Sequence, residues 1–442
     1  MSDAKPKQSD FRYDTGTAKV PWDAVGERFS PSDALQMLQF LFPSRPGSEP
    51  KYDRVMTRLA VDLEELDQHA TRAGKLTLGP RVAAAEKAAR EYLGARHACL
   101  LSNWTGGMEI AYKLAGLRPG DEVILPAITF VACMAYPLSI GAKIVFADVD
   151  PRTVNLDAAD VARKVTPRTR VVMPVHVGGA VCDMTPLMAL AKRHDFAVIE
   201  DAAHALGAKY QGRYAGTIGH FGGYSLHEVK NINALGEGGL LVTNEAAGEQ
   251  FARARFLGLD FSTQIRNWLY DITPLRDRFG RPQVPGNHSV TELQAVAFCC
   301  QLARLDRLIA GRRQVADYLT ARLREEPGIE TPAADTAETY SSHHLYLLRL
   351  NPAVVRGDVQ ALKAKLKARG VTEIQHFGPL YRFRLMKDLG YDEAAIAASC
   401  PQTEAVFDHG YTHLPLAGLS REQVDYMADA VIASVRELKA GK

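Results

Sequence analysis

Lys230 lies in the segment FGGYSLHEVKNINALGEGGLLVTN, which covers residues 221–244. The pattern predicts a strand ending at Ser225, then a polar loop with His227, Lys230 and Asn231. A glycine-rich turn at 236–239 feeds the next strand. A lysine at the carboxyl end of a sheet strand, beside such a turn, is well placed for Schiff-base chemistry. That chemistry needs a partly desolvated amine of lowered pKa. Taken alone, a solvated lysine is the commoner reading. A second run, VIEDAAHA at 198–205, ends a predicted strand in Glu200 and Asp201. An aspartate there can pair with the pyridine nitrogen of pyridoxal 5'-phosphate (PLP) and keep the ring an electron sink. Taken alone, a strand-terminal carboxylate that caps a helix is the commoner reading.

Two weaker signals share this placement. Leu101-Ser102-Asn103-Trp104-Thr105-Gly106-Gly107 reads as a short strand turning into a helix, whose first N–H groups can hold a phosphate. Taken alone, a plain capped helix is the commoner reading. Pro126-Ala127-Ile128-Thr129-Phe130 sets an aromatic ring just after a strand, where it can stack on a flat cofactor or simply pack in the core.

The elements that must position these residues alternate. Strands are predicted at 97–101, 122–126, 143–147, 170–175, 196–200, 222–225 and 239–243. Helices are predicted at 81–93, 105–116, 130–140, 157–164 and 185–194. The expected fold class is α/β: a large domain with a mainly parallel sheet flanked by helices, plus a smaller C-terminal α+β domain. The division expected is an N-terminal extension at 1–70, a large α/β domain at 71–310 and the small domain at 311–442. In the last part, helices are expected at about 292–325, 358–369 and 420–438, and a strand at 344–350. In the extension, Ser30 and Pro31 start a helix with a stripe of Leu35, Leu38 and Leu41 that ends by Pro43. A Pro/Gly/Ser-rich linker at 43–50 and a charged helix at 51–73 follow.

Together the segments resemble the DegT/StrS family of PLP-dependent sugar aminotransferases, of the aspartate aminotransferase fold. The motifs are Ser-x-His-x-x-Lys-Asn at 225–231, Gly-Glu-Gly-Gly at 236–239, Glu-Asp-Ala-Ala-His at 200–204, Leu-Pro-x-x-Thr-Phe-Val-Ala at 125–132 and Asp-Val-Asp-Pro-x-Thr-x-Asn-Leu-Asp at 148–157. His176, Asp183-Met184, Asn287 with Thr291-Glu292-Leu293-Gln294, His344 with Tyr346, and Pro379-Leu380-Tyr381 also fit. The resemblance implies that Lys230 forms the internal aldimine and moves the proton. Asp201 would pair with the pyridine nitrogen, Phe130 would stack on the ring, and His204 would sit near the 3-oxygen. Trp104, Thr105 and Ser225 would lie around the phosphate, and Asn287 would reach it from the second subunit of a homodimer. His376 and Tyr381 would line the acceptor pocket, while His343, His344 and His413 are expected to be structural. L-Glutamate or L-glutamine would give the amino group, and a keto-sugar or keto-cyclitol would receive it.

Two departures stand out. Trp104 replaces the family's usual glycine, adding bulk beside the phosphate turn, and Ser289 replaces a usual arginine. Family members that dehydrate keto-sugars replace the lysine by histidine, so Lys230 favours transamination. An elimination or aromatisation enzyme shares every motif, and a PLP-binding regulatory protein without turnover is the rival from another class. For a nucleotide-linked acceptor, Arg266, Arg276, Arg278 and Arg281, with Trp268 and Tyr270, are candidates in the loop at 260–284; a solvated charged loop is the plainer reading.

Composition narrows the class. Of 442 residues, 46% are hydrophobic and 24% charged, which is the make-up of a globular chain rather than a disordered one. A formal net charge of +2 gives no argument for nucleic acid or an anionic membrane. Residues 123–142 carry no charge and have the length of a membrane span, but Pro126, Pro137 and Gly141 interrupt them. A buried strand, a loop and a buried helix are expected there. Cys99, Cys133, Cys182, Cys299, Cys300 and Cys400 have no metal-ligand spacing, so no metal site is expected. They read as buried thiols of a cytoplasmic protein.

Overall fold

The runs that read as strands are buried on both faces, as a sheet covered by helices requires. The structure is a computed structural model. It describes residues 29–70, 76–260, 262–263, 265–268, 270–372 and 377–440. The main sheet has seven strands: β1 (His97–Leu101), β2 (Glu122–Pro126), β3 (Lys143–Ala147), β4 (Thr169–Val172), β5 (Ala197–Asp201), β6 (Phe221–Ser225) and β7 (Gly239–Thr243). Their order across the sheet is β1-β7-β6-β5-β4-β2-β3. The five strands from β6 to β3 pair in parallel, and β7 runs antiparallel to both β1 and β6. Pro174 lacks an N–H, so β4 stops before it, short of the predicted end at 175.

Register carries the functional consequence. Leu101 pairs with Gly239, and Gly239 pairs with Ser225. Asp201 pairs with Gly223 one step away. The ends of β1, β5 and β6 and the start of β7 therefore meet at one edge of the sheet, where a ligand of an open α/β sheet belongs. Helix α3 (Pro80–Leu93) precedes β1, and α4 (Trp104–Leu114) follows it. The uncharged stretch at 123–142 becomes β2, a loop and helix α5 (Ala132–Ser139). Among the described residues no helix is long and apolar enough to cross a membrane.

The helix expected at 292–325 is two helices, α6 (Glu292–Leu302) and α7 (Leu305–Leu323). Neither Gly nor Pro marks the break. The two pieces pack on different partners, α6 on α3 and α7 on the C-terminal helix Arg421–Lys439, and tertiary packing overrides the continuous local pattern. Further along, β8 (Ile329–Glu330), β9 (Tyr346–Leu350) and β10 (Tyr411–Leu414) form an antiparallel sheet in the order β8-β9-β10. Helices α7, α8 (Val359–Ala368) and α9 (Arg421–Lys439) share its core through Leu319, Leu323, Tyr346, Leu348, Leu362 and Val431. Each such side chain contributes about 1.5–3 kcal/mol on burial.

The chain divides into two compact units, Met1–Gly79 and Pro80–Lys442. In the first, the helix at Pro31–Leu41 has the expected start: Ser30 and Asp33 cap each other in a capping box. The second helix, Glu49–His69, begins inside the expected linker. The cysteines divide. Cys99, Cys133, Cys182 and Cys400 are buried, but Cys299 is half-buried and Cys300 exposed. Ala295, Phe298 and Leu302 form the buried stripe of α6, which turns positions 299 and 300 outward. Among the described residues no group of three or more His, Cys, Asp or Glu side chains is arranged to hold a metal.

Candidate active site

The loop that follows β6 folds back on β7. Leu226 N–H donates to Gly238 O, Glu228 N–H to Gly236 O, and Lys230 N–H to His227 O. Gly239 must be glycine because a Cβ there would overlap the Asn103 backbone at the start of α4. This close approach brings the lysine loop beside the helix start. Lys230 is mostly buried, and burial lowers its pKa, against the opposing charge of Asp201. Its Nζ lies 3.0 Å from His204 Nε2.

His204 is held on its other side. Its Nδ1 accepts from Gly178 N–H at 3.3 Å. An accepting Nδ1 puts the ring proton on Nε2, which then donates to Lys230 Nζ. Only a neutral amine can accept that bond, and a neutral amine is what nucleophilic attack on a carbonyl requires. The His204 carbonyl accepts from Ser342 Oγ at 2.9 Å and from Asn231 Nδ2 at 3.4 Å.

Asp201 ends β5 and is 3% exposed. Its Oδ1 accepts from Trp104 Nε1 at 2.9 Å and from Ala203 N–H at 3.1 Å, and its Oδ2 faces Cys133 Sγ at 3.4 Å. It forms no ion pair among the described residues. A buried carboxylate held only by neutral donors suits a cationic partner, and a protonated pyridine nitrogen fits that demand.

Beneath it, Glu200 is fully buried. It accepts from Gly216, Ile218 and Gly219 N–H at 2.8, 2.6 and 2.5 Å, and from His176 Nε2 at 3.0 Å. His176 Nδ1 accepts from Cys182 N–H, so the pair braces the end of β5.

Asn103 caps α4 through Gly106 N–H at 2.8 Å, and Thr105 stands exposed at the helix start. Ser225 Oγ accepts from His227 N–H at 3.3 Å. Phe130 is 55% exposed, and its ring lies 6.3 Å from Phe377. Phe377 in turn stacks on His204 at 5.8 Å. The bridge between Ile128 and Pro379 explains how these segments meet.

Three residues enter the site that sequence reasoning had not placed there. Phe377 is the first. Arg312, on α7, donates to Asn231 Oδ1 at 2.5 Å and lies 3.3 Å from His344 Nδ1; burial pushes its pKa down. His344, expected to be structural, packs 4.4 Å from His204. The Lys-Asn dipeptide was the available signal for Arg312, because a buried asparagine needs partners for its amide.

Tyr381 turns into the core at 1% exposure, where its hydroxyl donates to Glu404 and its ring packs on Phe146 at 5.8 Å. Asn287 Oδ1 accepts from Ser289 N–H and Oγ at 3.1 and 2.7 Å. His376 lies outside the described residues. Arg278 pairs with Asp195, just before β5 begins, and Arg281 pairs with Asp277 at 2.7 Å. Both guanidiniums stack on Phe279. These two arginines belong to the amino end of the sheet, opposite Asp201. The bulk of Trp104 does not reach out at the helix start. Its indole points inward, to Asp201.

The model of the DegT/DnrJ/EryC1/StrS aminotransferase family matches residues 60–432. The chain belongs to this family. It is a PLP-dependent aminotransferase of fold type I. GDP-perosamine synthase of Caulobacter vibrioides is 34% identical over 316 residues, covering 71% of this chain and 81% of that one. A Streptococcus pneumoniae protein described as a sugar aminotransferase, solved in its PMP form, superposes with a TM-score of 0.74 at 27% identity. It covers 83% of this chain and 94% of its own. The structure of 3-amino-5-hydroxybenzoic acid synthase superposes with a TM-score of 0.72 at 29% identity, covering 81% and 91%.

Proposed function

We propose that this DegT/StrS aminotransferase moves an amino group from L-glutamate or L-glutamine to a keto-sugar, nucleotide-linked, or to a keto-cyclitol in a biosynthetic pathway. The observation that carries the reading is the Lys230 amine, mostly buried and 3.0 Å from His204, beside the buried carboxylate of Asp201. The likeness to a GDP-perosamine synthase supports a nucleotide-linked keto-sugar as the acceptor.

When bound, PLP supplies an electron sink conjugated to the carbon that exchanges the amino group. In each half-reaction Lys230 Nζ would act as base and then acid, moving one proton between the substrate α-carbon and the cofactor's C4′ carbon. His204 would orient that amine. Asp201 would pair with the pyridine nitrogen and hold its proton. Phe130 would stack on the ring, and Phe377 packs on His204. Thr105, Ser225 and the N–H groups at the start of α4 would hold the phosphate. Asn287 would reach the phosphate of the second subunit in a homodimer, and each site would then be completed by both chains.

The test is the visible spectrum of the purified protein before and after each donor. A yellow band that L-glutamate or L-glutamine converts to the pyridoxamine form supports the reading. A band that neither donor shifts favours elimination or aromatisation, the second reading, which the likeness to 3-amino-5-hydroxybenzoic acid synthase supports. No band after PLP is added overturns both.

A further inference from the structure

Asp201 is gripped by a side chain that the lysine chemistry does not itself require. Trp104 is the first residue of α4, and only 4% of it is exposed. Its indole N–H and the Ala203 N–H both fall on Oδ1. Among the described residues, Oδ2 meets only the Cys133 thiol, a weak donor. The strong neutral donors therefore crowd one oxygen and leave the other with capacity for a strong donor.

Room for the indole is made by two glycines. A Cβ at Gly223, on β6, would overlap the six-membered ring of Trp104. A Cβ at Gly107, one turn along α4, would meet the same ring. Residues 104, 107 and 223 thus form one set: a large donor, and two positions emptied to admit it. The cost of that arrangement is steric, and what it gains is a hydrogen bond to one buried carboxylate.

We propose that Trp104 is a positioning residue for Asp201, pinning Oδ1 so that Oδ2 is the oxygen that meets the pyridine nitrogen of PLP. This rests on the reading of Asp201 given above. A pinned carboxylate has its direction set before the cofactor arrives, which lowers the entropy lost on binding.

The test is a PLP titration of apoprotein, followed by visible absorbance, for the wild type and Trp104→Phe. Phenylalanine keeps the aromatic bulk and removes the N–H. Loss of a hydrogen bond to a charged group is expected to weaken PLP binding about tenfold. The pH midpoint of the lysine-bound cofactor band should also move, which loss of packing alone would not cause. Gly223→Ala, which keeps the indole but displaces it, should act in the same direction. A measurement on the wild type needs no variant to fold: of the three tryptophan indole N–H signals in its NMR spectrum, one should be protected from exchange and shift on adding PLP. Wild-type affinity and an unmoved pH midpoint in Trp104→Phe would overturn the inference while leaving the cofactor reading intact. An NMR spectrum in which no protected indole responds to PLP would also overturn it. A wild type that forms no PLP band would instead remove the cofactor reading, and the inference with it.

Discussion

Lys230 Nζ and His204 Nε2 sit 3.0 Å apart, on residues from two different sheet connections. The Gly178 N–H on the far side of the imidazole fixes which partner donates.

Replacing Lys230 by alanine should abolish the lysine-bound cofactor band and lower kcat about 10^3-fold or more, since both the nucleophile and the proton carrier are lost. Absorbance and single-turnover assays check this. Retained turnover would show that another group moves the proton.

The lowered pKa of Lys230 has a pH signature. Capture of PLP by the apoprotein should speed up with rising pH and level off below the ordinary lysine value of about 10.4. Stability follows with a definite sign. Between the folded pKa and the ordinary one, the unfolded state binds more protons, so stability rises with pH there. Lys230→Met should therefore stabilise the apoprotein at neutral pH, and the gain should fade as pH climbs toward the ordinary value. Denaturation at several pH values decides it. A constant difference would refute the assigned shift.

Glu200→Ala should destabilise the apoprotein by about 3–5 kcal/mol, because three N–H groups of 216–219 and the His176 ring lose their buried acceptor. Urea denaturation reads the change. A loss under about 1 kcal/mol would mean that water replaces the carboxylate.

Arg281→Ala separates the two ends of the sheet. Asp277, whose side chain is fully buried, loses its main cation, at a cost of about 2–3 kcal/mol. KM for the acceptor should stay unchanged, since Arg281 packs on Phe279 and bonds Gly116 O. A raised KM at unchanged stability would return this arginine to the acceptor site.

Much of this was legible locally. Strands β1, β2, β3 and β7 lie where period and turn chemistry place them, because a strand buried on both faces must be apolar throughout. Lys230, Asp201 and His204 converge because two of the motifs end strands that are neighbours in the sheet. The break between α6 and α7 was not legible. It answers to two packing partners far away in the chain, and no residue at 303–304 is a breaker. The direction of the Tyr381 hydroxyl was not legible for a related reason: a tyrosine in a family motif reads the same whether its hydroxyl faces a ligand or Glu404.

Fold class and family could be read along the chain, since they depend on residue order and on periodicity within single segments. Only the tertiary structure decided that the Trp104 indole turns inward to Asp201, that Phe377, His344 and Arg312 gather around His204 and Asn231, and that Arg278 and Arg281 lie at the other end of the sheet. Side-chain direction at a helix start, and contact between segments more than a hundred residues apart, follow from packing in three dimensions. A linear pattern carries no term for either.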